Sequence, residues 1–185
     1  QETGRAGRDG EPADAWMIYS LADVIAARQM LMLSEGDDTF KLIRQRKLDA
    51  LLGYCETTAC RRQVLLRYFG EMREDPCGNC GICRDGGVDA WDGTLAAQKA
   101  LSAVYRTGQR FGAQYLIKVL LGQADERLQR FGHHRIKTFA VGQELSDRQW
   151  RSVFRQLIAL GYLSVEMDRR SGFVLTDRGW PGLRG

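Results

Sequence analysis

The sequence predicts a mostly α-helical chain that ends in a small α+β domain. Three observations carry this prediction. Apolar residues recur at three- and four-residue steps over residues 40–55 and again over 146–161, the spacing of a buried helix face. Cys77, Cys80 and Cys83 stand at two successive C-x₂-C intervals in "PCGNCGIC", a step at which neighbouring thiolates share one metal ion. Residues 94–185 read helix, helix, helix, two-stranded hairpin, the element order of a winged helix and also of unrelated α+β domains. The expected architecture is a helical zinc-binding module followed by a winged-helix domain.

A length of 185 residues suffices for one large domain or two small ones. With 44% hydrophobic and 27% charged residues the chain reads as soluble and globular. No apolar run approaches the roughly 18 residues of a membrane span, so no membrane partner is expected. The polar start "QETGRAGRDG" is no signal peptide, and without an initiator Met it is expected to lie inside a longer protein. All five cysteines fall between 55 and 83, which favours metal and a reducing compartment over a disulfide scaffold. The net charge of +4 is divided unevenly. Residues 1–93 hold 12 Lys/Arg against 16 Asp/Glu, and residues 94–185 hold 15 against 7. A basic half (+8) joined to an acidic half (−4) points to nucleic acid. The alternative is a solvated basic surface with no partner.

The elements follow in three segments. Residues 1–33 open with a Gly/Arg loop, then a short strand from Trp16 to Tyr19, then a helix over "LADVIAARQMLML". Residues 34–93 form the second segment. "SEGDD" links, and Phe40, Ile43, Lys47, Leu48, Leu51, Leu52 and Cys55 mark one helix face. A second helix is expected from an N-cap at Thr58 to a stop at Gly70, followed by the cysteine knuckle and the linker "RDGGVDAWDG". Residues 94–185 begin with helices over about 94–106 and 112–121. "SDRQWRSVFRQLIALG" starts at the cap Ser146 and stops at Gly161. "YLSVEM", the turn "DRRSG" and "FVLT" form the hairpin.

Three knuckle cysteines leave a structural zinc one ligand short of four. Two cysteines remain. Cys60 is expected in the first turn of its helix, where the dipole favours a thiolate, whereas Cys55 ends the preceding helix and continues its apolar stripe. The expected set is Cys60, Cys77, Cys80 and Cys83, with Cys55 a buried thiol. Four thiolates leave no open position for catalysis, so the Zn²⁺ is structural. A redox C-x₂-C pair and an iron–sulfur cluster are the alternatives, without a supporting context or spacing.

The opening "QETGRAGRDG" reads either as a Gly-rich tail or as a phosphate loop. Arg5 and Arg8 are flanked by Gly4 and Gly7, which allow close backbone approach while the guanidiniums fork onto phosphate. No G-x₄-G-K-S/T loop occurs in the chain.

Taken together, these features resemble the RecQ DNA helicases. "QETGRAGRDG" is similar to the last motif of superfamily 2 helicases in its RecQ form. "CRRQVLLRYFGE…PCGNCGIC" resembles the RecQ zinc-binding region, and "SDRQWRSVFRQLIALGYL" the third helix of its winged-helix domain. The resemblance covers nearly the whole chain and is strongest to bacterial members. It implies ATP-driven 3′-to-5′ unwinding of DNA, with ATP and Mg²⁺ as cofactors of the full-length enzyme and roles in repair and recombination. By position, Gln1, Arg5 and Arg8 would face ATP, with Arg8 the arginine finger. Residues 1–33 would close the second helicase core domain, and the 185-residue chain alone would be inactive. A cytoplasmic, nucleoid-associated location and a single-strand-binding protein as partner are further expectations. The rival is a stand-alone zinc-containing winged-helix regulator, to be separated by whether P-loop and D-E-x-H motifs precede Gln1.

DNA contacts are expected from the basic half, to duplex and to single-strand/duplex junctions. At 100° per residue, Arg148, Arg151 and Arg155 lie within about 60° of one another, opposite Trp150, Val153, Phe154 and Leu157. Ser146, Arg135, Lys137 and, at the hairpin tip, Arg169 and Arg170 are further candidates. Such contacts would be to phosphate, which carries affinity without sequence information. His133 and His134 are expected at the surface or on the DNA side. Two departures stand out. The loop "GQELS" carries Glu144 where several relatives are basic, which weakens the case for Gln143 and Leu145. The tip "DRRSG" lacks the aromatic wedge of some relatives, so the wing is expected to clamp the duplex rather than split it.

Overall fold

The computed structural model describes residues 9–11, 13–87, 91–166 and 172–184. Gln1, Arg5, Arg8, Arg169 and Arg170 lie outside these described residues.

Helix α1 (Leu21–Leu33) begins at a capping box. The Ser20 hydroxyl accepts from the Asp23 N–H, and the Asp23 carboxylate accepts from the Ser20 N–H. These bonds from Ser20 hold the Asp23 carboxyl below its usual range. Helix α2 (Asp38–Glu56) is capped by Asp37 and packs on α1, where Arg28 pairs with Asp49 at 2.7 Å. The expected strand at Trp16–Tyr19 is not formed. Among the described residues nothing pairs with it, and Trp16 and Ile18 are 88% and 95% exposed. An alternating apolar run becomes a strand only where a neighbour supplies the ladder.

Helix α3 (Arg61–Tyr68) starts later than expected. Cys60, not Thr58, is its N-cap, while the Thr57 hydroxyl accepts from the Ala59 N–H. Its end matches the expectation at Gly70. With φ +86°, Gly70 lets its own N–H reach Arg67 O and the Glu71 N–H reach Leu66 O. The single-turn helix α4 (Gly81–Arg84) closes the knuckle.

The winged helix is built on α5 (Thr94–Arg106), α6 (Ala113–Leu121) and α8 (Asp147–Ala159). Their apolar faces meet around Leu101, Leu116, Trp150 and Phe154, all at most 1% exposed. The buried Trp150 indole donates to Gly142 O at 2.8 Å, so its polar edge is satisfied. Strands β1 (Leu163–Glu166) and β2 (Gly172–Leu175) pair antiparallel, with Leu163 opposite Leu175 and Val165 opposite Phe173. The Phe173 N–H also donates to Phe111 O, so the segment before α6 lies along the outer side of β2. Three short pieces were not expected: α7 (Glu126–Arg130), a 3₁₀ turn at His133–Arg135, and α9 (Gly179–Arg184), which packs on α5. Each is too short for a hydrophobic period to show in sequence. Helix α2 packs against α8, and buried Leu52 joins the winged-helix core. No helix among the described residues is long and apolar enough to cross a membrane.

Candidate metal centre and nucleic-acid interface

Three separate pieces of chain deliver the four knuckle sulfurs. Cys60 comes from the start of α3, Cys77 from the loop after it, and Cys80 and Cys83 from either end of α4. Their Sγ atoms all lie within 4.8 Å of one another. Ligands 2.3 Å from a tetrahedral zinc sit about 3.8 Å apart, so the set needs little adjustment to close on one ion. Backbone N–H groups already point at the sulfurs. Cys77 N–H donates to Cys60 Sγ at 3.3 Å, and Cys80 N–H to Cys77 Sγ at 3.2 Å. Gly78, at φ +69°, makes the tight turn that aims them.

The thiol pKa values follow this geometry. Backbone N–H groups of Gln63 and Cys77 pull Cys60 down to about 6. Burial pushes Cys80 up, but the N–H groups of Cys83 and Arg61 hold it below its usual value on balance. Burial, with its hydrogen bond to Cys80, pushes Cys83 up to about 11. Crowded thiols cannot all ionise unless a cation joins them, which is the chemistry a divalent metal supplies. Cys55 lies outside the cluster, half-buried at the end of α2, and burial raises its thiol above the usual range.

The basic face of α8 is less open than its sequence suggests. Arg148 is exposed and has no ion pair among the described residues. Arg151 pairs with Asp147 one turn earlier at 2.6 Å, a half-exposed contact that a phosphate could replace. Arg155, also expected at DNA, is not free in this structure: its guanidinium is engaged by Glu56 of α2. Ser146 is occupied as a cap, its hydroxyl accepting from the Gln149 N–H. Glu144 pairs with Lys99 at 2.6 Å, which holds its carboxyl below the usual range.

Two family models match this chain: a RecQ zinc-binding domain over residues 21–84 and an RQC domain over 87–185. The chain belongs to the RecQ family. The ATP-dependent DNA helicase RecQ of Haemophilus influenzae is 45% identical over 163 residues, covering 88% of this chain and 26% of that protein. The proteins of the same name from Pasteurella multocida and Bacillus subtilis are 41% and 35% identical, each over 100% of this chain and 29% and 31% of their own length. The chain thus spans about a quarter to a third of these RecQ relatives.

The cysteine cluster and the RecQ zinc-binding match agree on a structural Zn²⁺. In the RQC part, Arg135 and Lys137 are exposed. His133 is not at the surface. It is buried against Phe111 and Phe131, and its Nδ1 shares a 2.7 Å hydrogen bond with the Tyr115 hydroxyl. Burial, reinforced by nearby Arg110, holds its pKa below the usual histidine value, so it is neutral at neutral pH. The half-buried His134 accepts from Arg135 Nε.

Sequence reasoning missed the arginines around this ring cluster. Arg110 lies 5.4 Å from the Phe111 centroid and 5.2 Å from that of Phe131. Arg127 lies 5.6 Å from Phe111 and 5.3 Å from Tyr115. Both are exposed and neither has an ion pair among the described residues. A ring positions a guanidinium without neutralising it, leaving its N–H groups for phosphate. The signal available was aromatic residues interleaved with arginines in "RFGAQY" and "ERLQRFGHH", dispersed because α6 separates them.

Proposed function

We propose that this chain is part of an ATP-dependent 3′-to-5′ DNA helicase acting in DNA repair and recombination, cytoplasmic and nucleoid-associated. In this reading residues 1–33 close the second helicase core domain, 34–93 form a Cys₄ zinc module, and 94–185 form a winged-helix domain that holds duplex DNA beside the fork. Cys60, Cys77, Cys80 and Cys83 hold one Zn²⁺, which when bound cross-links the module and offers no open position for water or substrate. Gln1, Arg5 and Arg8 serve ATP and Mg²⁺, with Arg8 stabilising charge on the transferring γ-phosphate. Arg110, Arg127, Arg135, Lys137 and Arg148, with Arg169 and Arg170 of the wing, contact phosphates, and a single-strand-binding protein is a partner in the cell. The reading is carried by the convergent cysteine cluster placed directly before a three-helix-and-hairpin domain, the order in which the two family models match.

The test is metal analysis together with titration of labelled forked duplexes of unrelated sequence. One zinc per chain and similar affinity for every sequence are expected. Strong preference for one duplex sequence would overturn the helicase reading in favour of a regulator.

A further inference from the structure

The zinc module and the winged helix meet at a polar contact for which the helicase reading has no use. Glu56, the last residue of α2, accepts from Arg155 Nε at 2.5 Å, and Arg155 Nη2 lies 3.5 Å from its other oxygen. Tyr19 completes the contact. Its hydroxyl donates to the same carboxylate, and the Arg155 guanidinium lies 5.6 Å from its ring centroid. The Glu56 and Arg155 side chains are 13% and 31% exposed, so the pair sits largely out of water.

Arg155 belongs to the same arc of α8 as Arg148 and Arg151, which are exposed. One end of a basic face is thus open, and the other is held by a carboxylate from a different module. A carboxylate and a phosphate present the same kind of acceptor pair to the guanidinium fork, so one can replace the other without leaving Arg155 unpaired. We infer that Glu56 is a phosphate mimic that latches α8 against the zinc module. DNA entering the basic arc of α8 takes over Arg155 and releases Glu56 and Tyr19 from it. This rests on the proposed binding of DNA by the winged helix. The latch lowers apparent DNA affinity by the fraction of chains in which Arg155 is already free.

The experiment is a double-mutant cycle on the 185-residue chain, titrating labelled duplex at several salt concentrations. Glu56→Gln keeps the side-chain size and removes the charge. It should tighten binding by roughly fivefold at low salt, the size of one exposed charge contact. The salt slope should stay as in wild type, since Arg155 holds the same phosphate in both complexes, whereas Arg155→Gln should flatten it by about 0.9. In an Arg155→Gln background the same change should do nothing. If Glu56→Gln tightens binding equally with Arg155 absent, the gain is loss of a negative charge and the latch is overturned. An unchanged affinity in Glu56→Gln, on a wild type that binds, overturns it too. Zinc content and melting temperature check folding. Should Glu56→Gln fail to fold, Tyr19→Phe removes only the hydroxyl that steadies Glu56 and must shift affinity in the same direction, or the proposal falls. Absence of duplex binding in wild type and every variant would instead sink the DNA-binding reading, and the latch with it.

Discussion

Cys55 and Cys60 stand five residues apart and have opposite chemistry. Cys60 caps α3, and the backbone N–H groups of Gln63 and Cys77 near its sulfur pull its thiol down to about 6. Cys55 ends α2, where carbonyls rather than N–H groups point outward, and burial keeps its proton on. Cys60→Ser should therefore lose the zinc and Cys55→Ser should keep it, as read by metal content after gel filtration. The reverse result would reassign the fourth ligand. The pH dependence has a definite sign. The Cys60 thiol is pulled down to about 6, whereas that of Cys83 is pushed up to about 11 and stays protonated at neutral pH. Binding at neutral pH must expel at least that proton, so zinc affinity should rise from pH 6 to 8 in competition with a chelating dye.

At the scale of elements, the wing depends on one close approach. A Cβ built on Gly172 would lie 2.4 Å from Arg110 C and 2.5 Å from its Cα, backbone that cannot swing aside. The same register brings the Phe173 N–H to Phe111 O. Gly172→Ala should cost about 1–3 kcal/mol in chemical denaturation, the range for overpacking a fitted site. A neutral result would mean that the Arg110 segment is not docked on β2. That segment also carries the arginine proposed to bind phosphate. Replacing Arg110 and Arg127 together by Gln should weaken duplex binding and flatten the salt slope by up to about 1.8, or 0.9 per contact. Retention of the wild-type slope would show these guanidiniums to be solvated.

At the scale of the whole molecule, the +8 of residues 94–185 stands against the −4 of residues 1–93. In the proposed DNA complex a phosphate backbone would be drawn to the basic half and repelled by the acidic half, which would orient the chain before contact. Duplex affinity of the 185-residue chain should fall steeply between about 50 and 200 mM salt, as counterion release requires. A flat response would show that phosphate contacts do not drive binding. The chain carries no G-x₄-G-K-S/T loop, so it should hydrolyse no ATP with or without DNA. Turnover that survives repurification would show an ATP site that this motif does not describe.

The sequence by itself determined what depends on spacing and local hydrogen bonding. The C-x₂-C steps define the knuckle because a few covalently linked residues must reach one ion. Ser146 and Gly161 bound α8 because cap and αL chemistry are local, and Trp150, Phe154 and Leu157 mark its buried face because a helix repeats every 3.6 residues. Tertiary structure decided whatever needs a partner distant in sequence. Trp16–Tyr19 carries a strand pattern but has no neighbour to pair with among the described residues. His133 reads as a surface residue until Phe111 and Tyr115 close over it. Arg110 and Arg127 become one surface only when α6 folds back between them. Arg155 reads as a free cation on a helical wheel, which shows the face of a side chain but not what lies opposite. Glu56, 99 residues earlier, is brought there only by the packing of α2 on α8.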